Sequence, residues 1–116
     1  MNVEVGPDPE QLLHLARAGS GPALGELLET YRGYLSLLAR VQIGKRLQGK
    51  VDASDIVQET FLEAHRDFAQ FRGGSETAFI GWLRGILVSN LANVVRRYRG
   101  TQARDVRLEQ QLVSEF

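Results

Sequence analysis

Proline placement is the feature that most constrains the fold of this chain. Its three prolines, Pro7, Pro9 and Pro22, all lie near the beginning, so no residue from Ala23 onward forbids a helix. Leu, Ala, Glu, Gln and Arg, which favour helices, dominate the remainder. The sequence has no alternating apolar and polar run of strand length and no Asn-Gly or Asp-Gly hairpin signal. It therefore predicts an all-α fold, a compact bundle of about four to five helices.

Capping residues mark where the first two helices begin. Asp8 precedes Pro9, which predicts a first helix that begins there and runs to about Ala18. Pro22 opens a second helix in the same way. Its apolar residues recur at spacings of three and four and predict one continuous stripe that extends toward Val41 or Leu47: Leu24, Leu27, Leu28, Tyr31, Leu35 and Leu38.

A third helix follows a looser segment that contains Gly44 and Gly49. It is predicted to begin at Asp52, whose side chain we expect to accept a hydrogen bond from the Asp55 amide, and to end near Phe71. One seam of this helix is apolar and is predicted to face the core: Val57, Phe61, Ala64, Phe68 and Phe71. A separate stripe is polar and mostly acidic: Asp52, Asp55, Gln58, Glu59 and Glu63. Such a stripe is either a solvated face or a docking surface for a basic partner helix.

The fourth predicted helix is long, with Ser75 as its cap and Gly100 at its end. Trp82 lies on it and is either a core residue or a stacking platform for bases. Spacings of three and four place a set of amide, hydroxyl and guanidinium groups on one polar face of this helix: Ser89, Asn90, Asn93, Arg96 and Arg97. Such groups grip bases and phosphates. Residues 101–116 are predicted to form a last helix or a tail.

The formal charge is zero, but it is unevenly distributed along the chain. Residues 1–71 hold seven basic and ten acidic side chains, whereas residues 72–116 hold seven and four. The seven basic residues of this second segment are all arginines, which fork onto phosphate in a way that lysine cannot. Six of them follow the start of the fourth predicted helix: Arg84, Arg96, Arg97, Arg99, Arg104 and Arg107. These arginines either contact nucleic acid or only complement a helix dipole.

Other function classes find little support in the 116 residues. The chain has no cysteine, which excludes disulfides and thiolate metal sites and agrees with a cytoplasmic protein. It has no unbroken apolar run near the roughly 20 residues of a membrane span, so we expect no membrane partner. His14 and His65 have no partner at metal-ligand spacing, and no glycine-rich phosphate motif occurs. We therefore expect no enzyme activity, no metal and no cofactor.

Three motifs occur in a recognisable order. The string from Asp52 to Leu62 contains Asp-x-x-Asp-Ile-Val-Gln-Glu-x-Phe, and Phe71-Arg72-Gly73 follows it. A Trp-Leu-x-x-Ile-x-x-x-Asn string then runs from Trp82 to Asn90, before Arg96-Arg97. This order resembles region 2 of the bacterial extracytoplasmic-function sigma factors, over about residues 9–100. The resemblance implies a region 2 helical domain over residues 1–100, followed by a linker or short helix over 101–116.

The resemblance also implies partners and contact residues. The acidic stripe would dock on the clamp helices of the β′ subunit of RNA polymerase, through Asp52, Asp55, Gln58, Glu59 and Glu63. The loop from Arg72 to Thr77 would help to capture a flipped base of the minus-ten promoter element, with Asn90 beside it. The whole set implied in binding the single-stranded DNA is Arg72, Gly73, Ser75, Trp82, Arg84, Asn90, Asn93, Arg96, Arg97 and Arg99. An anti-sigma factor is a further implied partner.

Two departures from that family limit what carries over. Many members have an acidic residue soon after the asparagine, where this chain has Asn93 and Val94, so their base preference does not transfer. A complete member continues into a second domain, region 4, so we expect a fragment or a one-domain member that reads promoters poorly alone. The alternative hypothesis is a helical module that binds polymerase or an anti-sigma factor without recognising DNA.

Overall fold

The computed structural model describes residues 8–47 and 49–101, with the backbone alone at residues 45, 46 and 99–101. These ranges contain helices and no strand, so the predicted all-α fold is confirmed. The helices are α1 (Pro9–Arg17), α2 (Gly21–Thr30), α3 (Arg32–Leu47), α4 (Ala53–Asp67) and α5 (Glu76–Thr101), with a 3-10 helix (Phe68–Gln70) after α4. The prediction for residues 102–116 lies outside the described residues.

The predicted caps form, with one change of partner. Asp8 accepts a hydrogen bond from the Gln11 amide at 2.9 Å, and the Gln11 side chain accepts one in return, which completes a capping box. Asp52 caps α4, but its carboxylate accepts from the amide and hydroxyl of Ser54, both at 3.0 Å, and not from the Asp55 amide as expected. The Asp55 amide donates to the backbone carbonyl of Asp52 instead.

The second predicted helix is wrong in one respect, because it is two helices. The backbone leaves the helical conformation at Tyr31, where α2 ends and α3 begins. α2 packs mainly against α1, whereas α3 packs against α4 and α5, so the chain must change direction between them. The apolar spacing continues through the break because both helices bury the same kind of stripe, and periodicity alone does not reveal it. Further on, Gly44 has a φ of 77° and interrupts α3, as expected of a glycine there.

α4 also ends earlier than predicted. Its α-helical part stops at Asp67, and a single 3-10 turn carries the chain to Gln70. Residues three apart eclipse one another in a 3-10 helix. As a result the rings of Phe68 and Phe71 stack on one another, with centroids 6.0 Å apart. The tighter turn aims both rings at the beginning of α5.

α5 supplies much of the core. Phe79, Leu83, Leu87 and Leu91 are buried along one side of it and pack with apolar residues of α3 and α4. Residues 76–98 are long and apolar enough, at a mean hydropathy of 1.4, to cross a membrane by length and composition. A core helix of a globular domain meets the same criteria, and 39% of this window is buried inside the structure.

Candidate functional site

The acidic face of α4, defined by Asp52, Asp55, Gln58, Glu59 and Glu63, lies on the surface. Its first four residues are exposed and Glu63 is half-buried. The opposite side of α4 is buried and apolar except for Thr60: Ile56, Val57, Thr60, Phe61 and Ala64. A helix packed on one side presents the other as a fixed ridge, so these carboxylates form a continuous acidic surface.

The C-terminal end of the acidic face carries a local ion-pair group. The Arg66 guanidinium donates two hydrogen bonds to the Asp67 carboxylate, both at 3.0 Å, and lies 3.8 Å from Glu63. The hydrogen bonds from Arg66 hold the pKa of Asp67 below its usual value. Because both side chains are at the surface, this pairing costs little to rearrange.

Four aromatic rings form a cluster where α4 and α5 are joined: Phe68, Phe71, Phe79 and Trp82. Trp82 lies 5.2 Å from Phe71, 5.8 Å from Phe79 and 6.1 Å from Phe68, measured between ring centroids. Phe79 is fully buried, while Trp82 is half-buried at the edge of the cluster. Trp82 therefore packs against Phe68 and Phe71 as well as its own helix, and both of its expected roles, as a core residue and as a stacking platform for bases, stay predictions.

The loop of residues 72–75, called here the Arg72 loop, is fixed in place from both ends. Arg17 donates from Nη1 to the Phe71 carbonyl at 2.8 Å, and its guanidinium lies 5.3 Å from the centre of the Phe71 ring. A Cβ at Gly73 would approach the Ala78 Cβ to 2.5 Å and the Phe71 ring to 2.7 Å. Ser75 caps α5 as predicted, since its hydroxyl accepts from the Ala78 amide at 3.1 Å. Only glycine allows this close approach of the loop to α5.

The beginning of α5 is tied to two other helices through Glu76. The Glu76 amide donates to the Glu10 carboxylate of α1 at 3.0 Å, and the Glu76 carboxylate accepts from the Tyr31 hydroxyl. Burial raises the pKa of Tyr31 well above its usual value, and the hydrogen bond to Glu76 raises it further. Neither contact could be read from the sequence, because the partners are 66 and 45 residues apart.

The polar face of α5 is narrower than predicted. Ser89, Asn93, Arg96 and Arg97 are exposed, and Arg96 donates to the Asn93 side-chain oxygen at 2.7 Å. Asn90 is the buried member of the predicted set. It is only 9% exposed, and its amide donates to the Thr60 hydroxyl of α4 at 3.3 Å. Successive helix residues differ by about 100°, so Ser89 faces outward where Asn90 faces α4.

The structure does not bring Asn90 next to the Arg72 loop. Both lie along α5, but Asn90 is fourteen residues after Glu76. At 1.5 Å per residue the two positions are about 21 Å apart along the helix axis. The expectation that Asn90 lies beside the loop is therefore wrong, because the two lie at different places along α5, and a contact of Asn90 with DNA stays a prediction.

Asn90 instead lies in a cleft between α4 and α5. This cleft has a volume of about 330 Å³ and brings together residues of two predicted sets: Asp55 and Glu59 of the acidic face, and Asn90, Asn93 and Arg97 of α5. The two sets are expected to bind different partners, and no spacing in the sequence indicates that they meet. Their meeting follows from the packing of α4 against α5.

The remaining predicted contact residues are at the surface or outside the described side chains. Arg72 is exposed, and Arg84 is exposed with Nη1 at 3.2 Å from the Tyr34 hydroxyl of α3. The structure does not describe the side chain of Arg99 or the residues Arg104 and Arg107, which the sequence also offered as nucleic-acid contacts. Among the described residues, no group of three or more His, Asp or Glu side chains could hold a metal ion.

Comparison with known families gives one match. A family model described as Sigma-70 region 2 matches residues 30–103, which is more than half of the chain. The matched segment contains the acidic face, the Arg72 loop and the described part of α5. Comparisons with curated proteins and with solved structures give no significant match.

Proposed function

The chain belongs to the sigma-70 region 2 family, and from that premise we propose that it is a region 2 domain of the extracytoplasmic-function type. Sigma-70 region 2 domains are non-enzymatic domains of transcription initiation that bind RNA polymerase and recognise the minus-ten promoter element. The proposed subtype rests on the motifs between Asp52 and Arg97. We place the protein, by the same proposal, in the bacterial cytoplasm.

The proposed polymerase contact is the acidic face of α4, which would dock on the clamp helices of the β′ subunit. The observation that supports it best is the exposure of Asp52, Asp55 and Glu59 on the side of α4 that faces away from the core. A row of carboxylates on a rigid helix complements a basic partner helix, and complementary charges set both the orientation and the rate of docking. Gln58 and Glu63 extend the same surface.

The proposed DNA contact runs along α5 and the Arg72 loop. Arg84, Asn93, Arg96 and Arg97 are exposed on α5, where guanidinium and amide groups can reach phosphates and bases of a single strand. Arg99 is included on its position in the sequence. Because Trp82 is packed in the aromatic cluster, its contribution would be to hold α5 and the loop in position rather than to stack freely on a base.

Base capture and strand holding are proposed to occur at separate points. The Arg72 loop, with Gly73 and Ser75, would take one unstacked base, and the cleft that Asn90 and Asn93 line would contact another part of the strand. Unstacking a base costs a few kcal/mol, which its contacts in the bound state must offset. Since Gly73 and Ser75 already have fixed contacts to α5, the loop would not have to be ordered on binding.

The alternative is a module that binds polymerase or an anti-sigma factor without recognising DNA. In this alternative the acidic face still binds a protein partner, but the arginines of α5 do not bind DNA. A loss of single-strand binding in the double variant Arg96→Ala, Arg97→Ala, with polymerase binding intact, would favour promoter recognition. Equal DNA binding in this variant and in the parent chain would favour the alternative.

The experiment that tests the polymerase contact is a titration of the chain against an isolated β′ clamp-helix fragment. Glu59→Arg reverses one charge of the acidic face, and Glu26→Arg makes the same change at an exposed position of α2. We expect binding that is lost in Glu59→Arg and retained in Glu26→Arg. If neither the parent chain nor the control binds while both are folded, this docking proposal fails.

A further inference from the structure

The surface has a second cavity, which is not part of the proposed DNA contact. It is an open groove of about 660 Å³ between the α1–α2 turn and the end of α4, and it continues along the 3-10 helix to Arg72. No α5 residue is among the described residues that line it. It is therefore distinct from both the polar face of α5 and the cleft that contains Asn90.

The groove is rich in positive charge. Arg17, Arg66 and Arg72 line it together with His65, and no carboxylate is among its described lining residues. Arg17 donates to a neutral carbonyl and so keeps its net charge, and Arg72 is exposed. Arg66 is hydrogen-bonded to Asp67, but this pair is at the surface and exchanges partners at little cost. The groove is thus suited to an anion.

Its lining also includes apolar side chains. The half-buried ring of Phe68 lies next to Ala69 and Leu24, and the Arg17 guanidinium lies over the buried ring of Phe71. A ligand that combines an anionic group with a planar apolar part would use both properties at once. Nucleotides have that combination, since the phosphate pairs with arginine and the base stacks on an aromatic or guanidinium plane.

We propose that this groove binds one or two further nucleotides of single-stranded DNA, adjacent to the nucleotide that the Arg72 loop takes. The proposal rests on the proposed function, because it extends the same strand beyond the loop. Continuity carries the argument: Arg72 belongs to the loop and also lines the groove, so a strand that leaves the loop passes directly over a guanidinium into a basic, aromatic channel.

The test uses the whole chain and a labelled single-stranded deoxythymidine 12-mer, with binding followed by fluorescence anisotropy over a range of salt concentrations. Arg66→Gln removes a charge from the groove without touching the loop or α5. Arg40→Gln removes the same charge from an exposed position of α3 that does not line the groove. Ala69→Glu, at an exposed position of the 3-10 helix, adds a negative charge inside the groove.

We expect Arg66→Gln and Ala69→Glu to weaken binding by about three- to tenfold at low salt, and Arg40→Gln to stay within about twofold of the parent. The slope of log affinity against log salt should fall by about 0.7 in Arg66→Gln, the value for one phosphate contact with a single strand. Circular dichroism of each variant verifies that the fold is kept.

Two outcomes would overturn the proposal. If Arg66→Gln behaves like Arg40→Gln while Arg96→Ala, Arg97→Ala loses binding, the groove is outside the DNA path and the proposed function still stands. If Arg66→Gln weakens binding of a glutamate decapeptide and leaves the DNA affinity unchanged, the groove is a site for acidic peptides. If every variant, including Arg96→Ala, Arg97→Ala, keeps the DNA affinity of the parent chain, the result counts against the proposed function itself.

Discussion

The two ends of α5 are built differently. At its beginning, Phe79 and Trp82 lie in the aromatic cluster, and the Glu76 backbone and side chain are bound by α1 and by Tyr31. In its second half, Leu91 and Val95 are buried, the exposed side chains include Asn93, Arg96 and Arg97, and a cleft between α5 and α4 is lined by carboxylate, amide and guanidinium groups. To the apolar packing that both ends share, one end adds an aromatic cluster and long-range hydrogen bonds, and the other adds a polar cleft.

The two ends of α5 therefore differ in what they hold in place. Aromatic packing is lost only when the rings separate, so it fixes the Arg72 loop before any partner arrives. Exposed charge pairs contribute about 0 to 1 kcal/mol, so the exposed arginines of the second half can turn toward an anionic partner at little cost. The domain therefore combines a preset loop with an adaptable charged surface, and the following predictions test that division.

The largest effect is expected where the loop touches α5. Gly73→Ala places a Cβ 2.5 Å from the Ala78 Cβ and 2.7 Å from the Phe71 ring, and neither neighbour can move without shifting the helix start or the cluster. We expect a loss of about 1 to 3 kcal/mol in the free energy of unfolding. Urea denaturation followed by circular dichroism measures it.

The matched variant is Gly85→Ala, also a methyl added to a glycine, but at an exposed position of α5 where the new Cβ would meet no atom within 4 Å beyond its chain neighbours and the backbone of its own helix. We expect this variant to be more stable than the parent by about 0.5 to 1 kcal/mol, because alanine is the better helix former. Equal effects of the two substitutions would contradict the close loop-to-helix approach.

The next effect concerns the tie between Tyr31 and Glu76. Tyr31→Phe removes the hydroxyl that donates to the Glu76 carboxylate and should lower the free energy of unfolding by about 1 kcal/mol at neutral pH. The folded chain has a raised Tyr31 pKa, so its contribution is fully present below about pH 10 and is lost as the pH rises further. The stability gap between the parent and Tyr31→Phe should therefore shrink above pH 10.

Denaturation at pH 7, 9, 10 and 11 tests this pH dependence. Tyr34→Phe is the control, because Tyr34 lies at the surface and its hydroxyl accepts a hydrogen bond from the exposed Arg84. A gap that stays constant up to pH 11 would show that Tyr31 titrates in the folded chain as it does in the unfolded one, which would contradict the burial of its hydroxyl beside Glu76.

The sequence predicted what depends on neighbouring residues. The caps Asp8 and Ser75 and the apolar seam of α4 follow from local hydrogen bonding and from the 3.6-residue period, and all of them form. The break at Tyr31 was missed because two differently directed helices share one apolar spacing. The end of α4 was misplaced because a 3-10 turn continues its seam to Phe71.

The candidate site was predictable by residue type and less so by arrangement. Ser89 and Asn90 are consecutive polar residues, and the apolar period alone does not tell which of them is buried. Asn90 is the buried one, because its amide meets the Thr60 hydroxyl of α4. The anchor from Arg17 to the Phe71 carbonyl spans 54 residues and leaves no spacing signal. The groove that Arg17 and Arg66 line depends on the same long-range packing.

The smallest effect tests whether the two faces act on each other. Glu59 lines the cleft together with Arg97, so its negative charge lowers the local potential that a DNA phosphate would meet there. Glu59→Gln keeps the shape and removes the charge, and we expect it to tighten binding of a single-stranded oligonucleotide by about two- to threefold at low salt. Glu26→Gln changes the net charge equally from α2 and should give a smaller gain.

Equal gains in the two variants would mean that only net charge matters, and no gain in either would place the DNA away from the cleft. A gain specific to Glu59 would mean that a basic partner on the acidic face also favours DNA binding, because it neutralises the same carboxylate.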